Sequence, residues 1–575
     1  MYRTEMLKKD VLEDEHPKVQ LSHHEDIDSE APLAIADHIS YGPTGIKGLL
    51  QSPYVFGAAL LASLGGFSFG YDQGVISVIN VMSQFHTRYP NTDPNHKASG
   101  FYTGFMTAMM ELGAFLGCFF MPKLADTISR KWALTFVVVI FDIGAIIQTA
   151  ATNYGMLVAG RFIGGIGVGT LAMVGLQQSK RSMIISCLTG YFTAQGAPLY
   201  ISEIAPPNLR GSLLVLEAMS VVVGVVISYW ITFGTRYLDG EVSFRLPFGL
   251  QMVCSTLLGV AIHIFPYSPR WLCLVGRKQD ALRSLAKLRR LPESDNRIQT
   301  EWRGIMTEVE YQKILLEKHY PGKRGLTLEL LTWLDLFKKK TWRRTVVGCG
   351  VGFFQQFSGI NAFIYYAPIL FTSMGLSDDL SKIVSGALNV GQLVATASCF
   401  FIIDHVGRRP LAILGGIGSM VPYIIMAVLF GMYSDDWPAH RAAGWGCVAM
   451  AFVYIFAYGS TYAPLGWTLP AEIFTNATRS KGVALSTATI WLCNFIIGVA
   501  TPPMIDSAGF GTFVFFACFC GLAAIWAYFL VPETKGRSLE ELVKIFDDDT
   551  GPEDAEIIGQ AVAKVNWDTH DMQSV

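Results

Sequence analysis

Charge is what this chain has little of. Only 16% of its 575 residues are Asp, Glu, Lys or Arg, against roughly 25% in soluble domains. With 51% hydrophobic residues and a mean hydropathy of +0.37, it cannot cover a soluble surface and reads as a polytopic membrane protein. The net charge of -2 leaves no basic footprint for nucleic acid. Ten cysteines are present, nearly all in apolar runs and without CxxC or Cys/His ligand spacing. They behave as small buried hydrophobes, which excludes a disulfide framework and a metal site. No charged start followed by an apolar core opens the chain, so no cleaved signal peptide is expected, and residues 1–50 are expected to be a cytosolic tail. No nucleophile–base pair or metal cluster lies in an apolar run. An enzyme is not expected, nor is a cofactor.

Apolar stretches able to cross the ~30 Å hydrocarbon core fall at roughly 54–76, 101–123, 133–152, 157–174, 213–233, 247–265, 345–372, 382–403, 411–432, 444–468, 483–504 and 511–531. That is twelve passes through the lipid bilayer, six on either side of the segment from Arg270 to Arg344. This segment holds eighteen Lys/Arg against nine Asp/Glu, so the positive-inside tendency makes it cytosolic, and even halves put both termini on the same side.

The stretch Gly350–Leu370, GVGFFQQFSGINAFIYYAPIL, is the most informative. It is long enough to span, yet carries Gln355, Gln356 and Asn361. An amide offers two donors and two lone pairs, and burying one unpaired costs about 2–7 kcal/mol. Each must therefore face a partner helix or a watery cavity. Hydrogen bonding between helices is one reading. A site for a neutral ligand with many hydroxyls is the other, because an amide can donate to one vicinal hydroxyl and accept from the next. On a regular helix Gln355 and Asn361 lie about 120° apart, so one ligand could meet both only across a broad cavity or a break, and a break is cheapest at Gly359.

The halves also echo each other. Glu203-x6-Arg210 recurs as Glu472-x6-Arg479, and Asp126-x3-Arg130-Lys131 recurs as Asp404-x3-Arg408-Arg409. Lys and Arg at these ends are ordinary for cytosolic loops, but the matched acids suggest ion pairs that close in one state of a rocking molecule and open in another. A repeat of six passes suggests two bundles about a midplane site.

With Gly65-Gly-Phe-Ser-Phe-Gly-Tyr-Asp72, Gly160-Arg161-Phe-Ile-Gly-Gly-Ile-Gly, Pro198-x-Tyr200-x-x-Glu203, Arg210-Gly211, Gln355-Gln356, Asn361, Asp404-His-Val-Gly-Arg-Arg409, Trp467, Glu472 and Pro532-Glu-Thr-Lys-Gly-Arg537, residues 54–545 resemble the sugar porter family of the major facilitator superfamily, in the style of fungal monosaccharide transporters. The resemblance implies an all-α membrane protein with the major facilitator fold, twelve transmembrane helices in two six-helix bundles. It divides the chain into a tail (1–50), a first bundle (51–266), a cytosolic linker with helices (267–344), a second bundle (345–532), and a cytosolic helix with an acidic tail (533–575).

It further implies a monosaccharide as substrate, bound by Gln355, Gln356, Asn361, Asn389 and Asn494 with Trp467 under the ring, in a plasma-membrane protein acting as a monomer. Asp72 is an acid inside a span, which is costly, and Arg161 is its implied partner. A pair whose separation changes between states would couple a proton to sugar symport; a permanent tether in a facilitative uniporter is the competing reading. A polyol, inositol or quinate substrate, or a sensor that binds sugar without transport, are further alternatives, and the short tail after Leu542 argues against the sensor.

Four departures from the family stand out. Ala218, preceded by Glu217, replaces a sugar-contacting Gln of the fifth pass. Thr127 and Ser129 stand where Arg and Gly are usual, and Tyr267 where Glu is usual, so the first-half gate is expected to be the weaker. Residues 175–196 interrupt the fourth pass; deleting them restores the family spacing from Gly169 to Tyr200. Twenty-two residues correspond to 66 nucleotides, a typical intron length, so this segment is expected to be a translated retained intron.

Overall fold

The computed structural model describes residues 53–171, 210–323, 325–475, 478–535, 545–546 and 556–566. Glu203, the stretch 175–196, Ser538 and Glu541, and the side chains of Asp126, Arg210, Glu217, Ala218 and Asp404 lie outside the described residues.

The first half is α1 (Pro53–Ile79), α2 (Ser99–Ile128), α3 (Arg130–Ala150), α4 (Tyr154–Leu171), α5 (Arg210–Thr235) and α6 (Val242–Ala261). The second half is α7 (Trp342–Phe357), α8 (Ile360–Ser373), α9 (Asp378–Val406), α10 (Arg408–Tyr433), α11 (Arg441–Gly459), α12 (Tyr462–Ile473), α13 (Arg479–Ala508) and α14 (Phe510–Leu530). Here α7 with α8, and α11 with α12, are single passes broken in the middle, so six passes make up each bundle. Among the described residues eight passes are long and apolar enough to be recognised as spans by themselves. The other four are α4, α5, the broken α7/α8 pass and α9.

Polarity is distributed inside out, as lipid requires. Phe120, Phe136, Val253, Leu414 and Phe529 are exposed on the outside, whereas Arg161, Tyr365, Tyr366 and Asn494 are buried within. Small residues let the helices approach. A Cβ on Gly70 would lie 1.9 Å from the Val221 carbonyl oxygen, joining α1 to α5, and one on Gly165 would lie 2.0 Å from that of Met110, joining α4 to α2. Between the halves, a Cβ on Gly104 of α2 would lie 2.7 Å from the Val499 oxygen of α13.

The linker folds as helices Pro269–Leu274, Lys278–Arg289, Asn296–His319 and Gly325–Leu334. Leu272, Leu285, Ile298, Trp302 and Met306 form their core, and Arg289 pairs with Glu301 at 2.6 Å. The acidic tail contains more structure than its composition suggests. Residues 556–566 are helical and bury Ile557 and Ala561 against Tyr311 and Leu315, with Lys564 paired to Glu310.

Candidate functional site

The seventh pass breaks at Gly359, whose φ of +89° is left-handed. A Cβ there would meet Tyr423 Oη at 2.4 Å and Phe516 Cδ1 at 2.8 Å, so both space and backbone demand glycine. The break puts Gln355 and Gln356 at the end of α7 and Asn361 in the first turn of α8, all buried. Asn361 Nδ2 donates to Gln356 Oε1. On a regular helix Gln356 and Asn361 would lie about 140° apart; the break brings their amides into contact.

Gln355 serves a different end. Its Nε2 donates to the carbonyls of Tyr462 and Ala463, each at 3.2 Å, at the start of α12. The tenth pass breaks just before, at Thr461 (φ -130°, ψ -78°). Gly466 makes room for the amide: a Cβ there would lie 2.3 Å from Gln355 Oε1. That oxygen is buried without a donor. Gln355 therefore ties the two broken passes together, which is the helix-to-helix reading, and keeps one acceptor unused.

The remaining carboxamides divide. Asn494 of α13 donates through Nδ2 to Tyr365 Oη at 3.2 Å. Asn389 is buried in α9 and Trp467 is half-buried in α12; no hydrogen bond among the described residues joins either to the other amides.

Asp72 and Arg161 are together. Arg161 directs its two terminal nitrogens at the two carboxylate oxygens, at 3.4 and 3.2 Å, and also donates to the Thr107 carbonyl at 3.1 Å. Both side chains are at most 2% exposed. The sequence reading passed over a second acid beside them. Glu111 of α2, 3% exposed, accepts a hydrogen bond from Tyr365, and Tyr365 Oη in turn accepts from Gln73 at 3.2 Å. One phenol thus connects α1 and α2 of the first half to α8 and α13 of the second. The signal was available: Glu111 is the one charge in the apolar run from Gly100 to Pro122.

At the end bearing the linker, Arg408 pairs with Glu472 at 2.9 Å, and Thr534 donates to the other Glu472 oxygen at 2.6 Å. Arg479 donates through Nε to the Phe474 carbonyl at 3.3 Å. Glu533 accepts from the backbone N–H groups of Arg408 and Arg409, at 3.0 and 3.3 Å. In the first half Arg130 is buried, and Lys131 donates to the carbonyls of His263 and Phe265, at 3.2 and 2.6 Å. Its ammonium stands 4.5 Å above the Tyr267 ring. An aromatic face and two carbonyls are what meet this cation among the described residues.

The family described as "Sugar (and other) transporter" matches residues 58–175 and 183–546. The chain belongs to this family. The break in the match falls within residues 175–196. A galactose transporter of Saccharomyces cerevisiae is 31% identical over 526 residues, covering 89% of this chain and 85% of the relative. A high-affinity glucose transporter of Kluyveromyces lactis is 30% identical over 512 residues, covering 86% and 85%. Among solved structures, the inward-open xylose transporter XylE from E. coli superposes with a TM-score of 0.65 at 25% identity, covering 86% of this chain and all of that one. A proton:xylose symporter structure of XylE bound to 6-bromo-6-deoxy-D-glucose gives 0.66 at 24% identity, covering 86% and 99%. The fold is the major facilitator fold, and the protein is a membrane transporter and no enzyme.

Proposed function

We propose that the chain is a plasma-membrane monosaccharide transporter, monomeric, with both termini cytosolic, that moves hexoses or pentoses by alternating access of its two bundles. The observation that carries this reading is the broken seventh pass, where Gln356 and Asn361 hydrogen-bond to each other across the Gly359 break. Two buried amides paired in this way can exchange their mutual bond for bonds to adjacent sugar hydroxyls without leaving polar groups unmatched. The free Gln355 oxygen adds an acceptor. Asn389 and Asn494 complete the polar contacts, and Trp467 offers an apolar face for C–H bonds with an N–H for a hydroxyl.

Uptake is proton-coupled through Asp72 and Arg161. A D-xylose–proton symporter of the same fold, 25% identical, is consistent with coupling. In its paired form the couple is neutral as a whole, and separating it in lipid would leave two costly charges. A proton on Asp72 would lower that cost and let Arg161 move. The Arg408–Glu472 pair, together with Asp404 and Arg479 of the same repeat and with Asp126, Arg130, Glu203 and Arg210 as first-half counterparts, would form the gate whose ion pairs open as the linker end opens.

Radiolabelled uptake of hexoses, pentoses and polyols in a transporter-null yeast tests the reading. Saturable hexose or pentose uptake, weakened tenfold or more in KM by Gln356→Ala or Asn361→Ala, is the expected result. Polyol uptake alone, or sugar binding without counterflow, would replace it with a polyol carrier or a sensor. Uptake in de-energised proteoliposomes that is undiminished at alkaline pH and in Asp72→Asn would make the protein a uniporter. The same assay with and without residues 175–196 tests the retained-intron reading, which fails if reverse-transcribed message carries that segment in most reads.

A further inference from the structure

Three carboxyl or guanidinium groups meet near the middle of the bundle, and only two of them cancel. Arg161 is engaged by Asp72 through both terminal nitrogens, and among the described residues no cation is ion-paired with Glu111. Its neighbours are the Tyr365 phenol, which donates to it, the Asn494 carboxamide, and more distantly Asp72 and Arg161. Tyr366 also faces it from α8, with its own hydroxyl given to the Gly498 carbonyl at 2.7 Å. Among the described residues these are the titratable and charged groups around it from α1, α4 and α8; α13 contributes Asn494 and no charge there.

We infer that Glu111 is a second proton-binding site, holding a proton while Tyr365 closes upon it and releasing that proton when the two halves part at this joint. Electroneutrality supplies the first argument. With Glu111 as the neutral acid, the Asp72–Arg161–Glu111 cluster carries no net charge; as a carboxylate, Glu111 would leave one uncompensated negative charge at membrane depth, which costs several kcal/mol.

The second argument is an acceptor. The acceptor is the Glu111 carboxyl itself: buried at 3% exposure, it receives the neutral Tyr365 phenol and the neutral Asn494 amide. Such donors ease the burial of a carboxylate without cancelling its charge, whereas a bound proton cancels it and leaves the carbonyl oxygen to accept.

The third argument is position. Tyr365 Oη receives Gln73 from α1 and Asn494 from α13 and gives its proton to Glu111 of α2. Any rocking that separates the halves here pulls Tyr365 away and admits water to the carboxyl. Water restores the solvation that burial removed, so the acid can ionise, its proton passing to that water. Proton occupancy and closure are then linked: whatever favours the closed joint favours the proton by the same free energy.

Occupancy of Glu111 follows from its surroundings alone, while its use in transport rests on the proton-coupled reading above. The two fail separately in the following experiment. The full-length chain in lipid nanodiscs is titrated from acid to alkaline pH, and infrared difference spectra are recorded in the protonated-carboxyl C=O region. A band present in the wild type, lost in Glu111→Gln, retained in Asp72→Asn and moved in frequency in Tyr365→Phe is the expected result. Glu111→Asp, which keeps an acid, should keep a band at altered frequency, and this separates loss of the group from loss of the fold. Spectra of Glu111→Gln that match the wild type throughout overturn the inference. Sugar-driven proton entry into proteoliposomes carrying a pH dye then reads the use: D-xylose or D-glucose entry without protons, together with the Glu111 band, removes the coupled reading and leaves the site standing.

Discussion

Ser129 occupies a backbone conformation that belongs to glycine. It has φ +98° and ψ 152° between α2 and α3, in a region almost restricted to Gly and costing roughly 1–3 kcal/mol for other residues. The equivalent of the second half, Gly407, has φ +88° and ψ 164°. Ser129 Oγ is also buried without a partner, a further cost of roughly 1–3 kcal/mol. Glycine would lose about 0.5–1 kcal/mol to the freedom of the unfolded chain. Ser129→Gly is therefore expected to stabilise by about 2 kcal/mol, and Ser129→Ala, which keeps Cβ but removes the hydroxyl, by about 1 kcal/mol. A thiol-reactive dye can follow thermal unfolding in detergent, because Cys118, Cys273, Cys447, Cys493 and Cys520 are free and buried. A rise of a few degrees for Gly, larger than for Ala, is expected. A Gly variant that melts at or below the wild type would show that the strain reasoning is wrong.

Gly359→Ala places Cβ against Tyr423 Oη and Phe516 at a left-handed φ; the melting temperature should fall by several degrees and sugar uptake should be lost. Gly466→Ala pushes on the Gln355 amide and should raise KM severalfold while melting closer to the wild type than Gly359→Ala. His86, outside the spans in the helix Ser83–Arg88, has its pKa held below the ordinary 6.5, chiefly by burial and against the pull of Asp93. The folded state then binds fewer protons than the unfolded one, so this stability is intact above pH 6.5 and is lost as pH falls through the folded value. Melting curves should show a larger acid loss for the wild type than for His86→Gln; equal losses would refute it.

Much of the site could be read in the sequence because its elements are local. Gly359 lies three residues from Gln356 and two from Asn361, so the break and the amide pair follow from one short stretch. The role of Gln355 could not be read so, since its partners Tyr462 and Ala463 are more than a hundred residues away, and only the fold brings the second broken pass against the first. The Asp72–Arg161 pair was suggested by motifs. Glu111 belongs to no motif, and the reasoning applied to Asp72, that an acid in an apolar span needs an explanation, would have found it. The place of Tyr267 beside Lys131 was not read from its substitution for an acid, because an aromatic ring also attracts a cation.

The departures at Ser129 and Tyr267 explain each other. In the second half Glu533 lies so close over the chain that a Cβ on Gly407 would be 2.6 Å from its Oε2, and from there it accepts the first N–H groups of α10, where the helix dipole favours an anion. Tyr267 follows Pro266 as Glu533 follows Pro532. A glutamate at 267 would come down on the Cβ of Ser129, so a side chain at 129 and an acid at 267 exclude each other. Tyr267→Glu alone should destabilise by about 1 kcal/mol, because its carboxylate is pressed against the Ser129 Cβ and cannot cap α3, whatever attraction it gains toward Lys131. In the Ser129→Gly background the same substitution can cap α3 and should be neutral or stabilising, giving a coupling energy of about 1–2 kcal/mol in the double-mutant cycle. Additive melting shifts in the four proteins would mean that the two positions drifted from the family pattern independently.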